Sequence, residues 1–157
     1  MMDHRSTDGF TLVELVVVLV IAGLLFSLGG PQVRALYDTM QYREAVRELT
    51  SAAKKARRQA FASGQPMDLL IDTDSNRYAL TFHSQKIDLE AFTSLPEELD
   101  ISVVYAAEVS PKPGLAAIRF YPEGGASGGE ISLIRPTGSG VHLTIDWLLG
   151  AVTQRRI

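Results

Sequence analysis

The apolar positions divide the chain into three stretches. Residues 15–33 carry no charged side chain. As an α-helix that run is long enough to cross a hydrocarbon core, which takes roughly 20 residues. From residue 33 to residue 61 the apolar positions recur at helical spacing: Val33, Leu36, Met40, Val46, Leu49, Ala53, Ala56 and Ala60. This predicts an amphipathic helix that continues the first one and lays its apolar stripe on a sheet. Ser63-Gly64-Gln65-Pro66 is a strong helix stop. Beyond it the period changes. "MDLLI", "RYALTFH", "LDISVVYA", "LAAIRFYP", "GEISLIRP" and "VHLTIDW" are short, partly alternating and rich in β-branched and aromatic residues. Turn-forming stretches such as "DTDSN", "PKPG", "EGGASGG" and "TGSG" separate several of them. The fold class is therefore α+β: one long N-terminal helix, then an antiparallel β-rich head over residues 66–157.

Two features of the apolar run need a reason. Glu14 stands at its start, although a carboxylate at membrane depth costs roughly 2.5–3.5 kcal/mol on insertion scales. One explanation is that Glu14 snorkels to the interface; another is that a cation pairs with it. Gly29-Gly30-Pro31 closes the run, and proline removes a helix hydrogen bond and clashes with the preceding turn. Either the helix ends there and a second begins at Pro31, or one helix continues with a kink. The immediate return of the apolar pattern favours the kink.

Gly9-Phe10-Thr11-Leu12-Val13-Glu14, followed by an apolar helix, resembles the signal of type IV prepilins and type II secretion pseudopilins. The resemblance implies that a membrane peptidase cuts between Gly9 and Phe10 and that the new amine on Phe10 is methylated. Residues 1–9 are then a leader, 10–30 a transmembrane helix and 31–63 an amphipathic periplasmic helix. It also implies a role for Glu14 in assembly, its carboxylate meeting the Phe10 amine of a neighbouring subunit, and a helix kink at Pro31. In the head, "FYPEGGASGGEISL" and "IDWLLGAVTQRRI" resemble the H-type minor pseudopilin domain, the second as its closing strand with a basic tail. The expected fold is pilin-like. The expected protein is a minor pseudopilin of the type II secretion system, anchored singly in the inner membrane with its N-terminus cytoplasmic and its head periplasmic. Its expected partners are other minor and major pseudopilins, the prepilin peptidase and the inner-membrane assembly platform. The alternative is a minor type IV pilin, DNA-binding in a competence pilus.

Composition adds exclusions. There is no cysteine, so disulfides, thiolate metal sites and cysteine nucleophiles are absent. The net charge of −3 selects no partner. The segment before the run is not basic, and Arg34 and Arg43 follow it, so local charge does not set the orientation. Lys54, Lys55, Arg57 and Arg58 cluster near the helix end. They suit nucleic-acid phosphates, but a solvated helix end complementing the C-terminal dipole is favoured. Beyond Pro66 acids outnumber bases, which weakens the nucleic-acid reading. Asp72-Thr73-Asp74-Ser75-Asn76 opens like a calcium loop, but Arg77 stands where glycine is required, so a β-turn is expected. Ser51-Ala52-Ala53-Lys54 lacks the partners of a serine hydrolase. "EGGASGG" lacks a following Lys-Ser/Thr and reads as a flexible loop. His83 and His142 have no acidic neighbour at ligand spacing, and Trp147 reads as a core or edge anchor. No cofactor, metal, small-molecule substrate or enzymatic activity is expected. Mass spectrometry of the membrane fraction should find a mature chain that begins at Phe10 with a methylated amine. An intact leader, or an N-terminus near Gly30, would refute the assignment.

Overall fold

The computed structural model describes residues 10–157, with the side chains of residues 26–35 outside that description. The leader and Gly9 therefore lie outside the described residues, as does the ring of Pro31. The described residues fall into two compact units that divide between Thr39 and Met40.

Helix α1 (Leu12–Ser63) is one uninterrupted element through Gly29, Gly30 and Pro31. In the first unit its described large apolar side chains are exposed, among them Leu12, Val13, Leu15, Val16, Leu19, Val20 and Leu24. Among the described residues no helix is long and apolar enough to cross a membrane. The expected transmembrane helix, residues 10–30, runs past Leu25 into the undescribed side chains.

In the second unit α1 buries one face. Ala45, Val46, Leu49, Ala52, Ala53, Ala56 and Ala60 are sealed in the core. They repeat at three- and four-residue steps, so they share one side of the helix. Most are alanines, which lets the backbone of α1 approach the strands closely. The expected stripe is shorter than predicted: Leu36 and Met40 are exposed, and burial begins at Ala45. The helix stops where expected. Gly64 takes a left-handed φ of 68°, and its N–H donates to the Ala60 carbonyl at 3.0 Å, the left-handed glycine cap of a helix end.

The head is antiparallel and β-rich as expected, and its strands divide into two four-stranded sheets. The first contains β1 (Met67–Asp72), β2 (Arg77–Phe82), β3 (Thr93–Ser94) and β5 (Leu115–Phe120), in the order β3-β2-β1-β5. The second contains β4 (Asp100–Tyr105), β6 (Gly129–Ile134), β7 (Gly140–Ile145) and β8 (Val152–Arg156), in the order β4-β6-β7-β8. Alternation puts Leu69, Ile71, Ile118 and Phe120 of the first sheet in one cluster with Leu49 and Ala56 of α1. Ile131, Leu133, Leu143 and Ile145 of the second sheet join them. The other face of the first sheet carries a smaller cluster of Leu70, Val109, Leu115 and Ala117. Both faces of β1 are therefore covered, which is why it reads as a continuous apolar run.

The chain end differs from the sequence reading. The expected strand through Trp147 ends at Ile145, and the basic tail is itself a strand, β8, paired in register with β7. A fragment beginning at Arg34 should be a folded, soluble monomer. In it Leu49→Ala should lower the unfolding free energy by about 2–5 kcal/mol, the range for emptying a sealed core position. Urea titration measures this, and a loss below about 1 kcal/mol would mean the helix is not anchored by that face.

Candidate functional site

The N-terminus of α1 is the first candidate. Phe10 and Thr11 precede the helix, and Phe10 is 80% exposed. The Glu14 N–H donates to Thr11 Oγ1 at 3.3 Å. In return Glu14 Oε2 lies 3.5 Å from both the N–H and the hydroxyl of Thr11. This is the reciprocal arrangement of a capping box, in which a threonine and a glutamate three positions on satisfy orphan N–H groups. The sequence carries its signature, Thr-x-x-Glu before an apolar run, a local signal separate from the membrane cost of Glu14. The return contacts are at the long limit of hydrogen bonding, so the carboxylate is only lightly held within its own chain.

The cations near the helix end are all exposed, but they do not form one patch. Lys55 lines a groove between α1 and β2, together with Arg43, Glu44, Arg47 and Glu48. Lys54 and Arg57 line a second groove beside residues 121–124, and Arg58 reaches both. The first groove mixes signs. Within it, burial first and the nearby Glu48 charge second push the Tyr78 hydroxyl above its ordinary value. A phosphate backbone would meet repulsion there as well as attraction. The dipole reading also needs correcting. The helix runs on to Ser63 and its last turn holds no base, so these cations lie outside the turn where the dipole acts.

Two histidines have the acidic neighbours that sequence spacing hid, because the neighbours come from adjacent strands. His83 Nδ1 lies 3.3 Å from Asp68 Oδ2. Asp68 is buried and accepts two bonds from Arg119, at 2.7 and 2.9 Å. That bidentate contact is the main cause holding the Arg119 guanidinium above its ordinary pKa. On β6 and β7, His142 Nδ1 lies 2.8 Å from Ser132 Oγ and 3.0 Å from Glu130 Oε1. A serine, a histidine and a glutamate thus meet, as in a hydrolase. But both partners hold the same ring nitrogen, whereas a relay needs the serine on one nitrogen and the acid on the other. Nδ1 cannot carry a proton for Glu130 and accept one from Ser132 together. Ser132 is also only 8% exposed. Among the described residues no three His, Asp or Glu side chains are grouped to hold a metal ion.

The calcium-like stretch is a turn between β1 and β2. Asp72 accepts from Ser75 through its N–H at 3.2 Å and its hydroxyl at 2.6 Å, and from Arg77 at 3.2 Å. Asn76 turns the chain with a φ of 46°. Its side-chain amide donates to the carbonyls of Pro96 and Leu99. The Asp72 carboxylate is therefore spent within the turn.

The glycine-rich stretch is a packed loop and not a flexible one. The Ala126 N–H donates to the Trp147 carbonyl at 2.9 Å. A Cβ on Gly125, whose φ is +79°, would come within 2.8 Å of that same oxygen. This loop braces the turn between β7 and β8. Trp147, expected as an anchor in the core or at an edge, stands 68% exposed on that turn, beside exposed Leu148 and Leu149.

A family model described as Type II transport protein GspH matches residues 45–149. The chain belongs to the GspH family. A second model, the prokaryotic N-terminal methylation motif, matches residues 4–29 and so includes Gly9, Phe10 and Glu14. The chain is 25% identical over 151 residues to the type II secretion system protein H of Xanthomonas campestris pv. campestris, covering 95% of this chain and 83% of that one. The fold resembles the minor pseudopilin EpsH of the Vibrio cholerae type 2 secretion system. There the TM-score is 0.55 at 16% identity, over 74% of this chain and 96% of the other. It also resembles the type IV minor pilin FimU of Pseudomonas aeruginosa, with a TM-score of 0.57 at 13% identity over 76% and 92%. The α+β architecture is thus the pilin-like one.

The turn at Asp72 carries a pH signature. Chiefly through the Ser75 hydroxyl, its carboxyl is held below its ordinary value, about 3.9 for aspartate. A lowered folded pKa adds stability that is present above the ordinary value and lost as pH falls through the folded one. Ser75→Ala should therefore destabilise the head at neutral pH, and its deficit should shrink on acidification below about pH 4. Thermal melts across pH measure it; a deficit independent of pH would contradict the assignment.

Proposed function

We propose that this protein is a minor pseudopilin of the type II secretion system. It is a structural subunit anchored in the inner membrane, with its head in the periplasm, that assembles with other minor and major pseudopilins into a short filament. The observation that carries the reading is the first unit of α1. Its large side chains from Leu12 to Leu25 are, Glu14 apart, apolar and exposed, within a methylation motif, on a chain of the GspH family. A helix apolar on every side is covered by lipid or by other helices. Each large side chain so covered is stabilised by roughly 1.5–3 kcal/mol.

In this reading the prepilin peptidase cuts after Gly9, where a residue without a side chain lets an enzyme close on the backbone. The Phe10 amine is released as a cation. Removed from lipid into a filament core, that cation needs a partner, and the lightly held Glu14 carboxylate of a neighbour supplies one. The pairing fixes the axial stagger of the subunits. Pro31 lets α1 bend without ending, the assembly platform in the inner membrane adds each subunit, and the chain itself performs no chemistry. A deletion strain scored together for exoprotein secretion, twitching motility and transformation separates this function from that of a minor pilin. Loss of secretion alone is the expected result.

Glu14 has two candidate roles, capping its own helix and pairing with a neighbour, and substitutions divide them. Glu14→Ala should leave leader cleavage intact and reduce co-purification with the other pseudopilins at least tenfold, while Glu14→Asp should do less harm. Thr11→Ala removes the cap but keeps the charge, and should assemble nearly as wild type. Equal defects in Thr11→Ala and Glu14→Ala would assign Glu14 to capping alone.

A further inference from the structure

The turn between β7 and β8 exposes Trp147, Leu148 and Leu149 in succession, although the head has a well-sealed core a few residues away. The turn is rigid. Leu149 N–H donates to Asp146 Oδ1 at 2.7 Å. Gly150 N–H donates to the Asp146 carbonyl at 2.8 Å, and the Trp147 carbonyl is held by Ala126. Gly125 and Gly150 interlock so closely that a Cβ on Gly150 would lie 3.0 Å from the Gly125 carbonyl oxygen. Exposing three large apolar side chains on a fixed turn gives the fold nothing. It presents a preorganised apolar surface, the kind that marks an interaction site.

The turn borders a cationic groove. That same Gly150 Cβ position lies 3.5 Å from the Arg57 side chain. The open groove beside it, about 670 Å³, is lined by Lys54, Arg57, Arg58, Phe61, Tyr121 and Glu123, with residues 150–152 and Gly124. Phe61 is exposed. None of the three cations takes part in any of the ion pairs formed among the described residues. Glu123 is the one acid in the groove.

We propose that this surface, the Trp147-Leu148-Leu149 turn with the Lys54–Arg57–Arg58 rim, docks the head of a neighbouring filament subunit through an apolar patch edged by carboxylates. The proposal rests on the filament reading above. Charge selects the partner: three unpaired cations ask for acids, and a protein surface can offer acids around an apolar centre. Tryptophan and arginine are the residues that most often dominate protein–protein contacts. Single-stranded nucleic acid is the weaker fit. It would stack on Phe61, Tyr121 and Trp147, but it gains little from two leucines and meets Glu123 in the groove.

The test uses the full chain in its own membrane with its partner subunits present. A photoreactive benzoylphenylalanine replaces Leu148, and a control replaces exposed Leu89. Mass spectrometry then locates the crosslinked residue on the partner. The expected result is a crosslink from position 148, and not from position 89, to the head of another pseudopilin within a few residues of an aspartate or glutamate. Lys54→Glu/Arg57→Glu/Arg58→Glu should reduce its yield at least fivefold. These positions are exposed, so folding should survive, and co-purification of the variant checks this. If the chain still co-purifies with the pseudopilins but position 148 captures no head, or captures nucleic acid, the docking surface is wrong and the filament reading stands. If the chain co-purifies with no pseudopilin, the filament reading fails and this proposal fails with it.

Discussion

The first unit of α1 poses a burial problem that this chain does not solve within itself. Large aliphatic side chains from Leu12 to Leu25 stand exposed around the helix, each forgoing the roughly 1.5–3 kcal/mol that burial would contribute. In the proposed function lipid covers them in the anchored state and other helices do so in an assembly. The single carboxylate among them, Glu14, is then the group whose surroundings change most between the two.

The second unit solves its own burial problem. One side of α1, mostly alanine, meets the inner faces of two sheets, and Leu49 and Phe120 are both fully sealed. A larger side chain at Ala53, Ala56 or Ala60 would force the helix off the strands, since overpacking a dense core costs about 1–3 kcal/mol. The same helix is thus built for two purposes, with exposed aliphatics in one unit and an alanine face in the other. The exposed Leu36 and Met40 fall between, on positions that the repeating pattern alone assigned to the buried stripe.

Much of this was legible in the sequence because it is local. The helix stop at Gly64, six of the eight strands and the turn at Asp72 each follow from residues within a few positions of one another. What was missed depends on partners distant in sequence. The division into two sheets comes from strand order. The acidic neighbours of His83 and His142 come from adjacent strands, 15 and 12 positions away. Trp147 was misplaced for a related reason. An aromatic beside an alternating run reads as core, and only the glycine loop bracing the next turn shows that the strand has already ended. The capping box at Thr11 and Glu14 is the exception: it is local and readable, and the membrane argument hid it.

The central claim is that Glu14 meets the N-terminal amine of another subunit. A hydrophobic, zero-length carbodiimide applied to native membranes tests it directly, because it joins a carboxylate to an amine only where the two touch. The account predicts an amide between Glu14 and the N-terminal residue of a different chain, identified by mass spectrometry and absent in Glu14→Gln. Assembled subunits that carry no such amide, with Glu14 still reactive toward a soluble amine, would contradict it.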